Sequence, residues 1–126
     1  MSVKITDNKI TMTRGDTLRV AVSMTRNGEP YTPVSGDAVR FAMKNKRMTT
    51  GGKEYYDDEP ILIKPIPIAT MVLELESDDT KQFDFGTYCY DIQITFADGT
   101  VDTFIEPQLD SSRNPIPNFI LTPEVE

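Results

Sequence analysis

The chain has 126 residues, with 13 basic and 20 acidic side chains and a net charge of −7 at pH 7. Its length predicts one domain with one core, and a hydrophobic content of 38% is too high for a disordered chain. The negative charge opposes binding to nucleic acid, because clustered Lys and Arg are needed to neutralise phosphates.

Cysteine and histidine counts exclude several kinds of chemistry. The single cysteine, Cys89, excludes an internal disulfide and a zinc site of the CxxC type. The chain has no histidine, so the usual general base and the commonest metal ligand are missing. Residues 1–7 contain no apolar run of signal-peptide length, and no segment reaches the roughly 18 apolar residues of a membrane helix. We expect neither export nor a membrane span.

Alternating apolar residues predict β-strands along most of the chain. The first clear alternation is Thr17 to Ser23, and the longest is Thr87 to Phe96, which predicts a central strand. One face of these strands is expected to form the core. Its predicted members are Leu18, Val20, Val22, Val39, Phe41, Met43, Met71, Leu73, Leu75, Tyr88, Tyr90, Ile92, Ile94 and Phe96.

Three glycine-containing pairs, Gly15-Asp16, Asn27-Gly28 and Asp98-Gly99, predict tight turns, because these residue types tolerate a positive φ. A two-residue loop at Asp98-Gly99 fixes the register of the hairpin around it. In that register Phe96 faces Val101, Ile94 faces Thr103 and Ile92 faces Ile105. It also turns Phe104 and Cys89 onto the outer face.

The remaining segments are expected to be peripheral. Prolines in Ile61 to Pro67 predict an edge strand, since proline cannot donate a ladder hydrogen bond. Ser77 to Phe83 predicts a single helical turn. Asn45 to Glu59 and Glu106 to Pro117 are interpreted as long irregular loops. A short final strand is expected over Asn118 to Thr122.

Seven to eight short strands separated by turns are typical of a β-sandwich or a small barrel. The sequence from Asp84 to Tyr88 precedes the central strand as the tyrosine corner does in immunoglobulin-like sandwiches. The fold class predicted is therefore an all-β, immunoglobulin-like antiparallel sandwich over residues 1–126, with a small β-barrel as the alternative.

No residue pattern predicts catalysis, a cofactor or a metal. Cys89 has no histidine to take its proton. Glu74 and Glu76 alternate on the predicted solvent face. The acidic runs at Asp57-Asp58-Glu59 and Asp78-Asp79 offer oxygen ligands, but the alternating acidic loop of a calcium site is missing. We expect a protein that is not an enzyme.

Two features predict a protein interface. A basic segment from Arg40 to Lys53 runs into two tyrosines, and arginine and tyrosine are enriched at interfaces. Apolar side chains with outward parity are expected to form a patch beside it. The candidate interface residues are Phe104, Leu62, Val72, Cys89, Arg40, Lys44, Lys46, Arg47, Tyr55 and Tyr56.

Several stretches together resemble a known family. They are Ile10 to Val20, Arg26 to Tyr31, Asp37 to Phe41, Gly86 to Gln93 and Ala97 to Val101. They are similar to the N-terminal domains of phage baseplate upper proteins and small prophage relatives from Gram-positive bacteria. The resemblance implies an immunoglobulin-like assembly module of a virion, made in the host cytoplasm, without an active site. Its implied partners are other phage structural proteins and further copies of itself.

Two other classes of function remain open on the sequence. A carbohydrate-binding or adhesin module needs an exposed aromatic platform, for which Tyr55 and Tyr56 are the adjacent candidates. A hydrolase needs a pocket that holds two carboxylates.

Overall fold

The computed structural model describes residues 4–6, 8–48, 50–52, 54–57 and 59–123. In this part the chain forms twelve strands and one short helix, so the prediction of an all-β fold is confirmed. The strands are β1 (Lys4–Thr6), β2 (Lys9–Thr13), β3 (Leu18–Ala21), β4 (Met24–Arg26), β5 (Glu29–Tyr31), β6 (Ala38–Met48), β7 (Glu54–Tyr56), β8 (Leu62–Ile66), β9 (Val72–Leu75), β10 (Gly86–Thr95), β11 (Val101–Ile105) and β12 (Phe119–Thr122). The helix, α1 (Ser77–Lys81), lies between β9 and β10.

The strands form a sandwich-like arrangement of a large and a small sheet. The large sheet has the order β1-β2-β12-β10-β6-β7, with β11 also paired to β10 and β8 to β6. The small sheet is the antiparallel pair β3 and β9, and β4 and β5 form a separate hairpin. The strand count exceeds the seven to eight expected. Strand β12 also pairs with β2 in parallel, whereas the prediction had antiparallel strands throughout.

The core lies between the two sheets, where the alternation of the sequence placed it. All the predicted core residues are buried except Val20 and Met71, which are half-buried and pack against the same cluster. Further core side chains come from strands that the prediction did not use for the core. They are Ile10, Met12, Met24, Ile66, Phe119 and Leu121.

The region from Asn45 to Glu59 is more regular than predicted. Strand β6 continues to Met48 and pairs with β7, which places Lys46 opposite Tyr56. Charged residues replace the apolar alternation here, because this end of the hairpin continues past the core-forming residues of β6. Residues 49, 53 and 58 lie outside the described part of the chain.

Local interactions before β10 match the prediction. The Tyr88 hydroxyl donates to the Asp84 carbonyl at 2.6 Å, which is the hydrogen bond of a tyrosine corner. Helix α1 begins with a capping box, in which the Glu76 N–H donates to the Asp79 carboxylate at 2.7 Å. The buried Thr80 hydroxyl accepts the Gly15 N–H at 2.8 Å and so joins the helix to the turn after β2.

The predicted loop length is found at Asn27-Gly28 but not at Asp98-Gly99. Asn27 and Gly28, with φ of 56° and 80°, form the expected two-residue hairpin loop between β4 and β5. Asp98 and Gly99 instead belong to a three-residue loop. In it the Phe96 N–H donates to the Thr100 carbonyl, and the Gly99 N–H to the Phe96 carbonyl, each at 2.8 Å.

The longer loop shifts the register of β11 by one residue near the turn. Ile94 faces Asp102 and Thr95 faces Val101, so the predicted pairing of Ile94 with Thr103 is wrong. A bulge between Ile92 and Gln93 restores the predicted pairing of Ile92 with Ile105.

As a result of this shift, Val101 points outward and is 57% exposed. Phe104 is half-buried and packs against the core instead of lying on the outer face. The prediction therefore had these two side chains on the wrong faces.

The predicted edge strand corresponds to β8. Strand β8 pairs with β6 and with no other strand in the described ranges, which confirms its edge position.

The segment from Glu106 to Pro117 contains a tight turn, in which the Asp110 side chain accepts the N–H groups of Ser112 and Asn114 at 2.9 Å. Apart from this turn and an isolated bridge between Leu109 and Pro115, the segment is irregular, as predicted.

Candidate protein-binding site

The predicted apolar patch does not form a single surface. Cys89 is fully buried, although its parity predicted exposure. Leu62 lies opposite Met43 and packs against the core, so its outward assignment is wrong as well. Val72 lies in the small sheet, opposite Ala21, whereas Cys89 lies in the large sheet. Strand parity from the sequence cannot locate the bulges and sheet changes that separate these residues.

Three basic residues of β6, Arg40, Lys44 and Lys46, lie along one face of that strand. Arg40 forms an ion pair with Asp91 at 2.7 Å, and Lys44 lies opposite Cys89. Lys44 and Lys46 are half-buried. These contacts make the basic segment part of the sheet and not the free loop that was predicted.

Of the two tyrosines of β7, the structure describes the side chain of Tyr55. The Tyr55 side chain is 46% exposed. The side chains of Arg47 and Tyr56 lie outside the described residues. Tyr55 therefore offers one exposed ring of the predicted aromatic pair.

A groove at the side of the sandwich reaches the core between β3 and the neighbouring strands of the large sheet. It has a volume of about 140 Å³. Apolar side chains from both sheets line it, and several of them are otherwise buried. They are Ile10, Val20, Leu73, Tyr90, Ile92 and Ile105.

One wall of the groove is the free edge of β3. In the described residues β3 pairs with β9 and with no other strand. The Val22 N–H donates to the Met71 carbonyl at 2.8 Å and so points toward β9. Because successive backbone groups of a strand alternate in direction, the N–H and C=O of Ala21, the last residue of β3, point away from β9. Ala21 and Ser23 line the groove and are exposed.

The opposite wall comes from β2, β10 and β11. Ile105 at the end of β11 and Asn8 ahead of β2 lie at the groove. The Tyr90 hydroxyl donates to the Asn8 carbonyl at 2.6 Å and ties this wall together. Burial raises the pKa of Tyr90 to about 12, so its hydroxyl stays neutral and keeps this hydrogen bond at physiological pH.

A second depression, of about 230 Å³, lies beside the hairpin loop at Asp98. The Arg26 guanidinium lies 3.9 Å from the centre of the Phe96 ring, a cation–π contact. Asp37 is nearly buried, and its carboxylate accepts the N–H groups of Val34 at 2.9 Å and Ala97 at 3.1 Å. The hydrogen bond from Val34, followed by that from the Tyr31 hydroxyl, lowers the pKa of Asp37.

Hydrogen bonds also change the pKa values of Tyr31 and Asp98 at this depression. The hydrogen bond to Asp37 raises the pKa of Tyr31, and the Thr100 hydroxyl lowers the pKa of Asp98. Both carboxylates are therefore held ionised by internal donors. A carboxyl group that acts as a general acid needs a raised pKa, whereas the pKa values of these two are lowered. Their hydrogen bonds hold the loops together.

The described residues contain neither a membrane-spanning helix nor a metal-binding cluster. No helix there is long and apolar enough to cross a bilayer. No group of three or more His, Cys, Asp or Glu side chains is placed to hold a metal ion in the same part of the chain.

Comparison of the chain with protein-family models, with curated proteins and with solved structures finds no match.

The sequence prediction missed the groove because no single residue pattern marks its lining. Its floor consists of residues predicted as core, such as Leu73 and Ile92, and its wall is backbone. The sequence signal available was the small outward-facing pair Ala21 and Ser23 on a strand whose second neighbour could not be assigned.

The corrected position of Phe104 changes the expected effect of replacing it. Phe104→Glu should lower the free energy of unfolding by about 1–3 kcal/mol, because a charge would enter a half-buried apolar site. Val101→Glu is the matched control on the same strand, since Val101 is 57% exposed and should change stability by under about 0.5 kcal/mol. Urea denaturation of both variants measures the difference. Equal stability of the two would place Phe104 outside the core.

Proposed function

We propose that the chain is a non-enzymatic assembly module of a bacteriophage or prophage particle, in its baseplate, tail or head–tail region. It acts by binding other structural proteins of the particle and further copies of itself. The observation that supports binding is the groove beside β3, which leads to largely buried apolar side chains next to a strand edge that has no partner in the described residues. A free strand edge is a site at which an extended segment of another chain can pair.

The particle context rests on the sequence resemblance, and the groove fits it. A structural module needs a surface that binds a protein segment, and this groove offers apolar contacts together with backbone hydrogen bonds. The ion pairs of Arg40 with Asp91 and of Lys64 with Asp79 hold charged side chains within the domain. Together these features favour a rigid recognition domain over a catalytic cleft.

Particle association tests the proposal directly. Particles released after induction of the host strain are separated from free protein on a density gradient and probed with an antibody against the chain. We expect the chain to sediment with the particles, and deletion of its gene to reduce the yield of infectious or fully assembled particles. A chain that stays in the soluble fraction, with particle assembly unchanged by the deletion, would overturn the proposal. Sedimentation analysis of the purified chain over a range of concentrations measures its self-association separately.

A further inference from the structure

We infer that the depression at Asp98 binds an arginine side chain of another protein chain, and that Arg26 occupies this site until that chain arrives. The inference concerns a surface other than the groove, and it rests on the proposed function because it takes the ligand to be part of a protein. We call the depression the guanidinium cage. Its walls are the rings of Tyr31 and Phe96 and the carboxylates of Asp37 and Asp98.

Two aromatic rings form the walls that recognise a cation. The rings of Tyr31 and Phe96 meet edge to face, with their centres 5.6 Å apart and their planes at 82°. The Arg26 guanidinium lies 3.9 Å from the centre of the Phe96 ring and 5.4 Å from that of the Tyr31 ring. Both distances are within the range of a cation–π interaction. The cage therefore already holds a guanidinium group, which identifies the chemistry of its ligand.

The Asp98 carboxylate supplies negative charge beside these rings. It accepts the N–H of Thr100 at 2.9 Å and the Thr100 hydroxyl at 2.7 Å, both through Oδ1, so Oδ2 is the oxygen that a ligand would meet. Hydrogen bonds from Thr100, and to a smaller extent the charge of Arg26, lower the pKa of Asp98. Among the described residues, however, Arg26 makes no direct ion pair with Asp98. An arginine that entered with its N–H groups toward Oδ2 would gain a charged hydrogen bond that Arg26 lacks.

The walls of the cage are fixed, whereas its present occupant is held weakly. Asp37 is 8% exposed, and its carboxylate accepts the Tyr31 hydroxyl at 2.7 Å and the Ala97 N–H at 3.1 Å, which joins β5 to the loop after β10. Arg26 is exposed at the end of β4. A cation–π contact at an exposed site favours the bound cation only about two- to fivefold. Rotation of the Arg26 side chain can therefore open the cage without moving the hairpin that carries it.

The charge of the cage and of the chain favours an arginine ligand. With Arg26 displaced, Asp37 and Asp98 leave two negative charges beside the rings. The chain as a whole has a net charge of −7, and opposite charges across an interface speed association and select partners. Arginine suits the cage better than lysine does, because its flat guanidinium stacks on a ring and pairs with a carboxylate at the same time.

Titration with N-acetyl-arginine amide tests the inference. N-acetyl-citrulline amide is the matched control, because citrulline has the same shape without the charge. NMR of the full chain at low ionic strength records the shifts of the Ala97, Asp98 and Thr100 amides. Arg26→Ala empties the cage. Because Arg26 occupies the cage about two- to fivefold over solvent, this variant should bind the arginine probe about three- to sixfold more tightly than the wild-type chain.

A second substitution, made in the Arg26→Ala chain, separates ligand binding from the structure of the cage. Asp98→Asn keeps a side-chain oxygen for the Thr100 N–H and suits the same turn, but it removes the charge that a guanidinium would meet. We expect it to weaken binding of the arginine probe about two- to fivefold, the range of exposed ion pairs. Asp102→Asn in the same background is the control for removing a negative charge from this hairpin, and it should leave binding unchanged. The remaining amides report whether each variant is folded.

Two results would overturn the inference. They are equal shifts with the arginine and citrulline probes, and binding of the arginine probe that Arg26→Ala does not tighten. The source of the arginine is measured separately, in the absence of any probe. Shifts of the Ala97 and Thr100 amides that grow with protein concentration, and that disappear in Asp98→Asn, would show that a second copy provides it.

Particle incorporation distinguishes failure of this inference from failure of the proposed function. Full incorporation of Asp98→Asn into particles would contradict a role of the cage in partner binding and leave the assembly role intact. Binding of the arginine probe by a chain that is absent from particles would have the opposite meaning.

Discussion

Phe41→Ala is expected to lower the free energy of unfolding by about 3–5 kcal/mol, since it removes a large side chain from a site that cannot refill. Phe41 lies in β6 and is 0% exposed. Its ring lies 5.3 Å from that of Tyr90 and 6.0 Å from that of Phe119, measured between ring centres. These rings come from three strands of the large sheet, so the cavity would open at their junction.

The matched control is Ile63→Ala on the neighbouring strand β8. Ile63 lies opposite Ala42 and is 56% exposed, so its truncation should cost under about 0.5 kcal/mol. Urea denaturation of both variants, analysed with a common slope, gives the difference. A loss below about 1 kcal/mol for Phe41→Ala, or similar losses for the two variants, would contradict the assignment of faces along β6 and β8.

The period-two pattern predicted the central strands well because the core imposes it on them directly. Residues from Val39 to Met43 and from Tyr88 to Phe96 alternate between the core and the outer face, and each inward side chain contacts the same cluster. A change of register by one residue would turn the whole apolar set outward. The orientation of a strand with one buried face can therefore be predicted from its sequence.

Peripheral strands were predicted less well because other forces set their positions. The register of β11 depends on the length of one hairpin loop, and the Asp98-Gly99 pair suits both a two-residue loop and the three-residue loop that forms. Strand β12 is joined to β2 by parallel pairing across more than a hundred residues of sequence. Neither feature has a local residue pattern that could reveal it.

The position of the candidate site was not predicted from the sequence. The apolar interface residues were chosen by strand parity. Parity fails where a bulge intervenes, as at Phe104. The groove beside β3 arises from the absence of a second neighbour for that strand in the described residues. Which edge of a strand remains unpaired is a property of the whole topology.

Asn118 shows how one side chain can replace a strand at a gap in the sheet. Along one edge of β10, β12 pairs with residues 86–88 and β11 with residues 92–95. Between them, the Tyr90 N–H donates to the Asn118 side-chain carbonyl at 2.8 Å, and the Asn118 amide donates to the Tyr90 carbonyl at 3.0 Å. The side-chain amide thus makes the two hydrogen bonds that a paired strand residue would make.

Asn118→Leu is expected to cost about 2–6 kcal/mol, because it leaves both the N–H and the C=O of Tyr90 without their partner at about 1–3 kcal/mol each. Tyr90 and Asn118 are 4% and 5% exposed, so water cannot readily replace the lost amide. Leucine has a similar size, and the loss would therefore report hydrogen bonding more than cavity formation. Asn114→Leu, at a half-buried position of the preceding turn, is the control for replacing asparagine in this segment.

Asn118→Asp separates the two hydrogen bonds. Aspartate keeps an acceptor for the Tyr90 N–H, but its second oxygen would face the Tyr90 carbonyl, which offers no proton. The stability of this variant should recover as the pH falls and the carboxyl becomes protonated, because the protonated form donates a hydrogen bond. Thermal unfolding of Asn118→Asp and of the wild-type chain between about pH 4 and pH 8 measures this recovery. A loss of stability in Asn118→Asp that does not depend on pH relative to the wild type would mean that the Tyr90 carbonyl finds another donor, and that Asn118 serves β10 mainly through the Tyr90 N–H.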